Sequence, residues 1–244
     1  MRRETVNKIR YVLEEWLPPA LRDSRFMRAL FRLYWGSFID DLEQFRANIT
    51  HLSPAEYKRV YDAMPRIQDQ TDNSTACLEE IASCVTGAKV CDVGCGTGYL
   101  LQFLQARSKT DTEFTGVDFI IEPQARERYP SIRFVAAPIE QLPFPDRHFD
   151  TVVCTHVLEH ILDIRGAIAE LRRVCAKRLI VVVPLEREYR FTFNPHIHFF
   201  PYPHSFLRHI IPVPPSATSK VIGRDLLYVE EMGDPRESTR SRAS

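Results

Sequence analysis

The residues of this chain best placed to do chemistry form the run Asp92-Val93-Gly94-Cys95-Gly96-Thr97-Gly98, which directly follows the apolar stretch Lys89 to Val93. Glycines at 94, 96 and 98 can adopt positive φ and let a ligand approach the backbone closely, and the amides entering the next helix, near Tyr99, face that ligand. A dinucleotide fingerprint, G-x-G-x-x-G, would place its third glycine at position 99, which is Tyr here, so the spacing does not fit a nicotinamide cofactor. Asp118 ends the run Phe114-Thr115-Gly116-Val117, with Phe119 after it. A carboxylate there can accept hydrogen bonds from both ribose hydroxyls. A nucleoside-bearing ligand is the expectation.

Eight histidines supply candidates for proton transfer near neutral pH. His196 and His198 lie in the aromatic segment Tyr189 to Phe200, where alternate residues of an extended chain point the same way. His156 follows the apolar run Phe149 to Thr155. His196 and His198 also have a plain structural reading, as loop residues contacting a helical cap or solvent, and His156 can be a pocket residue without acting as base. His-x-His could suggest metal, but no third ligand cluster accompanies it and no metal is expected. Glu159 and His160 suit helix-start and backbone partners. Tyr189, Arg190 and Tyr202 could line an acceptor pocket, with aromatic packing as the alternative for the tyrosines.

These residues need elements to hold them. Strand-like runs recur at Lys89 to Val93, Glu113 to Asp118, Ile132 to Ala136, Phe149 to Thr155 and Arg178 to Pro184, with helical patterns at Tyr99 to Ala106, Pro123 to Tyr129 and Ile164 to Val174. Alternation of this kind predicts an α/β fold with a doubly wound, mostly parallel sheet. A helix near Ser205 to Ile210 and a strand near Asp225 to Glu230 would close the sheet. A helix of about a dozen residues from Asn73 precedes the first strand.

Upstream, Val6, Ile9, Leu13 and Trp16, then Phe26, Leu30, Leu33 and Tyr34, recur at helical spacing on either side of Pro18-Pro19. Ser53-Pro54-Ala55-Glu56 reads as a capping box opening a third helix with its body at Tyr57 to Met64. The expected division is a helical cap over residues 1–72, a ligand-binding domain over 73–233 and a disordered polar tail over 234–244. Trp16, Phe26, Phe31, Tyr34, Trp35 and Phe38 suit a lid that helps define substrate; a homodimer face, a membrane-surface patch and core packing are the other readings.

Composition limits the partners. The 244 residues carry 32 Lys+Arg against 32 Asp+Glu, a formal charge of +0, so no global field favours nucleic acid or anionic lipid. Six cysteines form no CxxC pair, which suits a reducing cytoplasm. No 18-residue apolar run and no signal-like h-region occurs, so neither a membrane span nor secretion is expected.

Taken in order, Asp92 to Gly98, Asp118, Glu140-Gln141-Leu142-Pro143-Phe144, Phe149-Asp150 and Val157-Leu158-Glu159-His160 resemble the class I methyltransferases of the methyltransferase-11 type, across roughly Asn73 to Pro184. The resemblance implies a Rossmann-like domain that binds S-adenosylmethionine (SAM). It implies that Asp92, Gly94, Cys95, Gly96 and Gly98 surround the aminoacyl part of the cofactor, that Asp118 takes the ribose, and that Ile139 and Glu140 lie beside the adenine. Cys154, Thr155 and His156 would border the methionine moiety and the methyl group, with a helix starting near His156. Two departures stand out. Pro138 replaces a common adenine-binding Asp, and Cys175-Ala176-Lys177-Arg178 replaces KPGG, predicting a shortened turn before the fifth strand.

Methyl transfer is an in-line displacement, in which the protein aligns the acceptor and excludes water. The favoured expectation is methylation of a hydroxyl on a small molecule or sugar, with His196 or His198 as base before His156. The alternatives are methylation of a glycan, protein or RNA, and a non-catalytic SAM-binding partner subunit.

Overall fold

The structure is a computed structural model that describes residues 11–53, 56, 71–108, 111–190 and 195–233. The chain divides into two compact units, Met1–Asp69 with Glu186–Pro201, and Gln70–Leu185 with Tyr202–Ser244.

The second unit holds the sheet. Its strands are β1 (Lys89–Val93), β2 (Glu113–Asp118), β3 (Arg133–Ala136), β4 (Phe149–Thr155), β5 (Cys175–Pro184), β6 (Thr218–Ile222) and β7 (Asp225–Glu231). Among the described residues they form one sheet in the order β3-β2-β1-β4-β5-β7-β6. The pairs from β3 to β5 are parallel, whereas β7 runs antiparallel to both β5 and β6. The chain winds one way from β1 to β2 and β3 and the other way to β4 and β5. Strand order therefore reverses at β1, the place where open α/β sheets bind ligands. The expected doubly wound, mostly parallel fold is present.

Burial explains these strands. Val90, Cys91 and Val93, Val152 to Cys154 and Leu179 to Val183 are all nearly inaccessible, the continuous apolar signature of strands covered on both faces. Numbering the helices from the N-terminus, α4 (Thr75–Cys84) buries Cys77, Leu78 and Ile81, and α7 (Ile164–Val174) buries Ile164, Ala167, Ile168, Leu171 and Val174, one stripe at helical spacing. Ser74 Oγ accepts from the Cys77 amide at 3.2 Å, and Asp163 Oδ1 accepts from Gly166 N–H at 2.9 Å. These caps set where α4 and α7 begin. The remaining helices of this unit are α5 (Tyr99–Gln105), α6 (Pro123–Arg128) and α8 (Pro203–Leu207).

Three local expectations are corrected. No helix starts at His156: its φ of +55° is incompatible with a right-handed helix, so only a 3-10 turn, Leu158–His160, follows, and α7 waits for the Asp163 cap. No turn precedes β5, because α7 ends at Val174 and β5 begins at Cys175; the β4–β5 register shifts between Phe149 and Thr151. The helix expected at Ser205 starts at Pro203, whose fixed φ suits a first helical position. The edge strand β6 carried no apolar alternation to announce it, since Thr218, Ser219 and Lys220 are exposed.

The first unit contains α1 (Pro19–Arg22), α2 (Arg25–Trp35) and α3 (Phe38–Asn48), preceded by a π-helical turn at Val12–Trp16. Ser24 Oγ caps α2 by accepting from Met27 N–H, and Gly36 (φ +63°) separates α2 from α3. Leu13, Phe31, Ile39 and Tyr189 form its small core. The apolar stripe read on α2 does not face that core: Phe26, Leu30 and Leu33 are 66%, 43% and 85% exposed. Arg28 binds Glu43 at 2.9 Å and also pairs with Asp40, joining α2 to α3. Ser53 and Glu56 make the predicted reciprocal capping bonds, at 2.9 and 3.3 Å. Val6 and Ile9, the helix body at Tyr57 to Met64, Phe191 to Asn194 and the tail from Asp234 lie outside the described residues. Among the described residues no helix is long and apolar enough to cross a membrane.

Candidate active site

The loop leaving β1 carries φ values of +81°, +49° and +82° at Gly94, Gly96 and Gly98. Its start is fixed by the Gly94 and Cys95 amides, which donate to the Val117 carbonyl at 2.7 and 3.0 Å. The three glycines serve different ends. A β-carbon on Gly94 would lie 2.0 Å from Val157 Cγ2, and one on Gly98 would lie 2.8 Å from Phe134 Cζ, whereas one on Gly96 would meet nothing within 4 Å. Gly94 and Gly98 are packing requirements. Gly96 leaves open space over the loop, where a ligand can reach the backbone.

Asp92 is 2% exposed, and its Oδ1 has no hydrogen-bond partner among the described residues. Burial, with Asp118 adding its charge, pushes its carboxyl up to about 8. Asp118 is half-buried; its Oδ2 accepts from Gly96 N–H at 2.8 Å and its Oδ1 from Ile120 N–H at 3.2 Å. Cys95 turns its thiol inward, as its Sγ would lie 2.8 Å from a β-carbon on Gly116, so only its backbone faces the loop. Phe119 is 44% exposed beside Asp118.

Ile139 is buried and Glu140 exposed. The stretch after them is tied down by α7 in a way the sequence did not reveal. Arg173 donates to the Leu142 and Phe144 carbonyls at 3.0 and 2.8 Å and pairs with Glu170 at 2.7 Å, while Glu170 accepts from the Leu142 amide at 2.7 Å. An adjacent Arg172-Arg173 pair near a helix end has no distinctive pattern. Only the fold puts one of its members under this loop.

Cys154 is fully buried and Thr155 nearly so. Asn73 Nδ2, just before α4, donates to Thr155 Oγ1 at 3.0 Å. His156 then takes a left-handed backbone conformation, unusual without glycine and costing about 1–3 kcal/mol. Its amide donates to the Val182 carbonyl at 2.9 Å. The ring lies between two buried carboxylates, with Nδ1 3.7 Å from Glu159 Oε1 and Nε2 3.8 Å from Asp225 Oδ1. Burial pulls the imidazole down, but Glu159, Asp225 and Asp72 outweigh it and leave its pKa raised above the ordinary 6.5. Asp225 was not among the sequence candidates, and Glu159 was read as a helix-start residue. Asp225 pairs with Pro184 where antiparallel β7 meets β5, a register invisible in local pattern.

Residues 91–183 match the family described as a methyltransferase domain. This chain carries a class I methyltransferase domain. Two curated relatives are the malonyl-acyl-carrier-protein O-methyltransferase of Serratia marcescens, 31% identical over 47% of this chain and 43% of its own length, and the 2-phytyl-1,4-naphtoquinone methyltransferase of Trichormus variabilis, 32% identical over 49% and 59%. The chain thus spans about half the length of the curated relatives it matches. A SAM-dependent methyltransferase from Aquifex aeolicus shares the fold, with a TM-score of 0.53, 15% identity and coverage of 75% of this chain and all of that one.

The residues present fit SAM, the cofactor that the resemblance implies. The orphan Asp92 Oδ1 can accept from a bound ammonium or amide, Gly96 leaves room above the loop, and Asp118 holds a carboxylate at the end of β2. The domain gathers Asp92, the glycine loop, Asp118 and Ile139 at the carboxyl ends of β1 to β3, and Cys154 to His156 at the end of β4.

His196 and His198 belong to the other unit, in the segment Glu186–Pro201. His196 Nδ1 pairs with Oε1 of the buried Glu186, and the Glu186 amide donates to the Phe200 carbonyl at 3.2 Å. His198 is half-buried. Tyr189 is core there, under the Arg22 guanidinium 5.2 Å from its ring centre, while the Arg190 amide donates to Asp23 at 3.0 Å. Packing therefore accounts for Tyr189. Tyr202 is 46% exposed and stacks on His204 in the second unit.

Proposed function

We propose that this chain transfers the methyl group of SAM to a hydroxyl of a small molecule, including sugar-like acceptors. The observation that carries the reading is the Asp92, Gly96 and Asp118 cradle at the switch point of the sheet, with His156 directly after β4, the strand next to β1. Asp118 orients the ribose, Gly96 admits the aminoacyl end, and Ile139 packs beside the adenine. When bound, SAM supplies a methyl group already activated by its sulfonium. The chain's own task is alignment and removal of the hydroxyl proton.

His156 is the candidate base within the methyltransferase domain, while His196, oriented by Glu186, and His198 are the candidates in the segment after β5. One curated relative carries O-methyltransferase in its name, which supports oxygen as the acceptor atom. The free cysteines support a reducing, cytoplasmic setting. The exposed Phe26, Leu30 and Leu33 of α2 support a homodimer through the N-terminal helices, which light scattering of the purified protein tests.

The test of function is label transfer from methyl-labelled SAM by the purified full chain, offered hydroxylated small molecules in one arm and RNA, protein and glycan in another. Label in the small-molecule arm is expected. Label in the macromolecules alone overturns the acceptor class, and tight cofactor binding without transfer to any acceptor favours a non-catalytic subunit.

A further inference from the structure

Asp92 and Asp118 both bring a carboxyl to the glycine loop, but the chain provides for them unequally. Asp118 Oδ2 accepts from the Gly96 amide at 2.8 Å and its Oδ1 from the Ile120 amide at 3.2 Å. Amide donors of this kind favour the ionised form. Asp92 is without them: among the described residues its buried Oδ1 has no hydrogen-bond partner and no cation pairs with its carboxyl.

The sheet explains the difference. Asp92 lies in β1, in register with Gly116 of β2 on one side and Val153 of β4 on the other, and neither neighbour has a polar side chain. The titratable groups around it are Asp118 from the end of β2 and the thiols of Cys91 on β1, Cys95 in the loop and Cys154 on β4. Burial pushes all three thiols up, so they stay neutral near pH 7, while Asp118 contributes a negative charge. A carboxyl that is 2% exposed, faces an anion and has no donor on Oδ1 is cheapest as the neutral acid. Its pKa of about 8, raised by burial first and by Asp118 second, agrees.

A bound cation reverses this balance. SAM carries an ammonium and a sulfonium against one carboxylate, so it brings net positive charge to the loop that Gly96 leaves open. Positive charge near a buried carboxyl favours the ionised form. We infer that Asp92 is a proton-linked element of the cofactor site: it is a neutral acid in the ligand-free chain and gives up its proton when SAM binds, so that cofactor affinity rises with pH. This rests on the SAM-dependent reading proposed above. On binding, the Asp92 O–H bond breaks, the electron pair stays on the carboxylate, where its charge offsets that of the ligand, and the proton passes to solvent. Acid therefore opposes binding: below about 8 the ligand-free carboxyl holds a proton that SAM must displace.

The experiment is isothermal titration calorimetry of the full chain with SAM at pH 7, in buffers of low and high ionisation heat, which counts the protons released. About one proton per SAM is expected for the wild type. Its affinity should rise about tenfold from pH 6 to pH 7, a range in which an α-ammonium stays mostly protonated. Asp92→Asn, confirmed as folded by thermal melting, keeps the shape of the neutral acid and should release no proton, with affinity level over the same range. Equal heats in every buffer for the wild type overturn the inference, the neutral acid then donating its O–H to the ligand carboxylate instead. Proton release that persists in Asp92→Asn places the titration on another group and overturns it too. A chain that binds no SAM at any pH overturns the cofactor reading and the inference with it, whereas binding without proton release leaves the cofactor reading standing.

Discussion

Asp118 Oδ2 accepts a hydrogen bond from the Gly96 amide at 2.8 Å, tying the end of β2 to the one glycine of the loop that has open space over it. The carboxylate is thereby aimed before any ligand arrives. Asp118→Ala loses this bond and the ribose contacts proposed for it. Hydrogen bonds to a charged group contribute about 1.5–3 kcal/mol, so SAM affinity should fall by about 10- to 100-fold in calorimetry. Unchanged affinity would remove Asp118 from the site.

The glycines separate fold from binding. Gly96→Ala meets no neighbouring atom, and its left-handed φ costs about 1–2 kcal/mol. The variant should fold with a melting temperature a few degrees lower and bind SAM weakly. Gly94→Ala places its β-carbon 2.0 Å from Val157 Cγ2 at a φ of +81° and should fold poorly. Pairing it with Val157→Ala should recover part of the loss by thermal melting, because the clash goes while the backbone strain stays.

Asp92 makes stability depend on pH. Its folded-state value of about 8 lies above its ordinary 3.8, so between these values the folded state retains a proton that the unfolded chain has released. Stability from this group therefore falls as pH rises from about 4 to about 8. Asp92→Asn removes that dependence. Its melting temperature should exceed wild type most at pH 8, with the gap closing toward pH 4 in a calorimetric series.

Arg173 anchors the loop after Glu140, the stretch proposed to lie beside the adenine. Arg173→Ala strips the Leu142 and Phe144 carbonyls and Glu170 of their partner. The bonds are part-buried, so the stability cost is modest, about 1–2 kcal/mol. The sharper effect should be on the cofactor, with KM for SAM raised several-fold and kcat nearly kept. Steady-state kinetics that show a fall in kcat alone would place Arg173 elsewhere in the mechanism.

Much of this arrangement was legible in one dimension. Runs such as Val152 to Thr155 and Leu179 to Val183 announced buried strands, and the residues between them carried helical stripes, so the parallel half of the sheet followed from pattern. Ser53 with Glu56 showed their cap for the same reason, since both partners lie within four residues. The antiparallel edge was less legible. Asp225 to Glu231 is apolar enough to be noticed, whereas the exposed Thr218 to Lys220 take their strand conformation from pairing with β7.

The site divides along the same line. The glycine loop and Asp118 were readable because their demands are local: positive φ at fixed spacing, and a carboxylate at a strand end. By themselves these residues determined a nucleoside-binding α/β domain, and the resemblance they carry named the methyl donor. Which glycine bears packing and which admits ligand, what holds the loop after Glu140, and what surrounds His156 were decided only in three dimensions. Val157, Arg173 and Asp225 reach their partners through strand register and helix packing across tens of residues, and no residue type or spacing encodes those contacts locally.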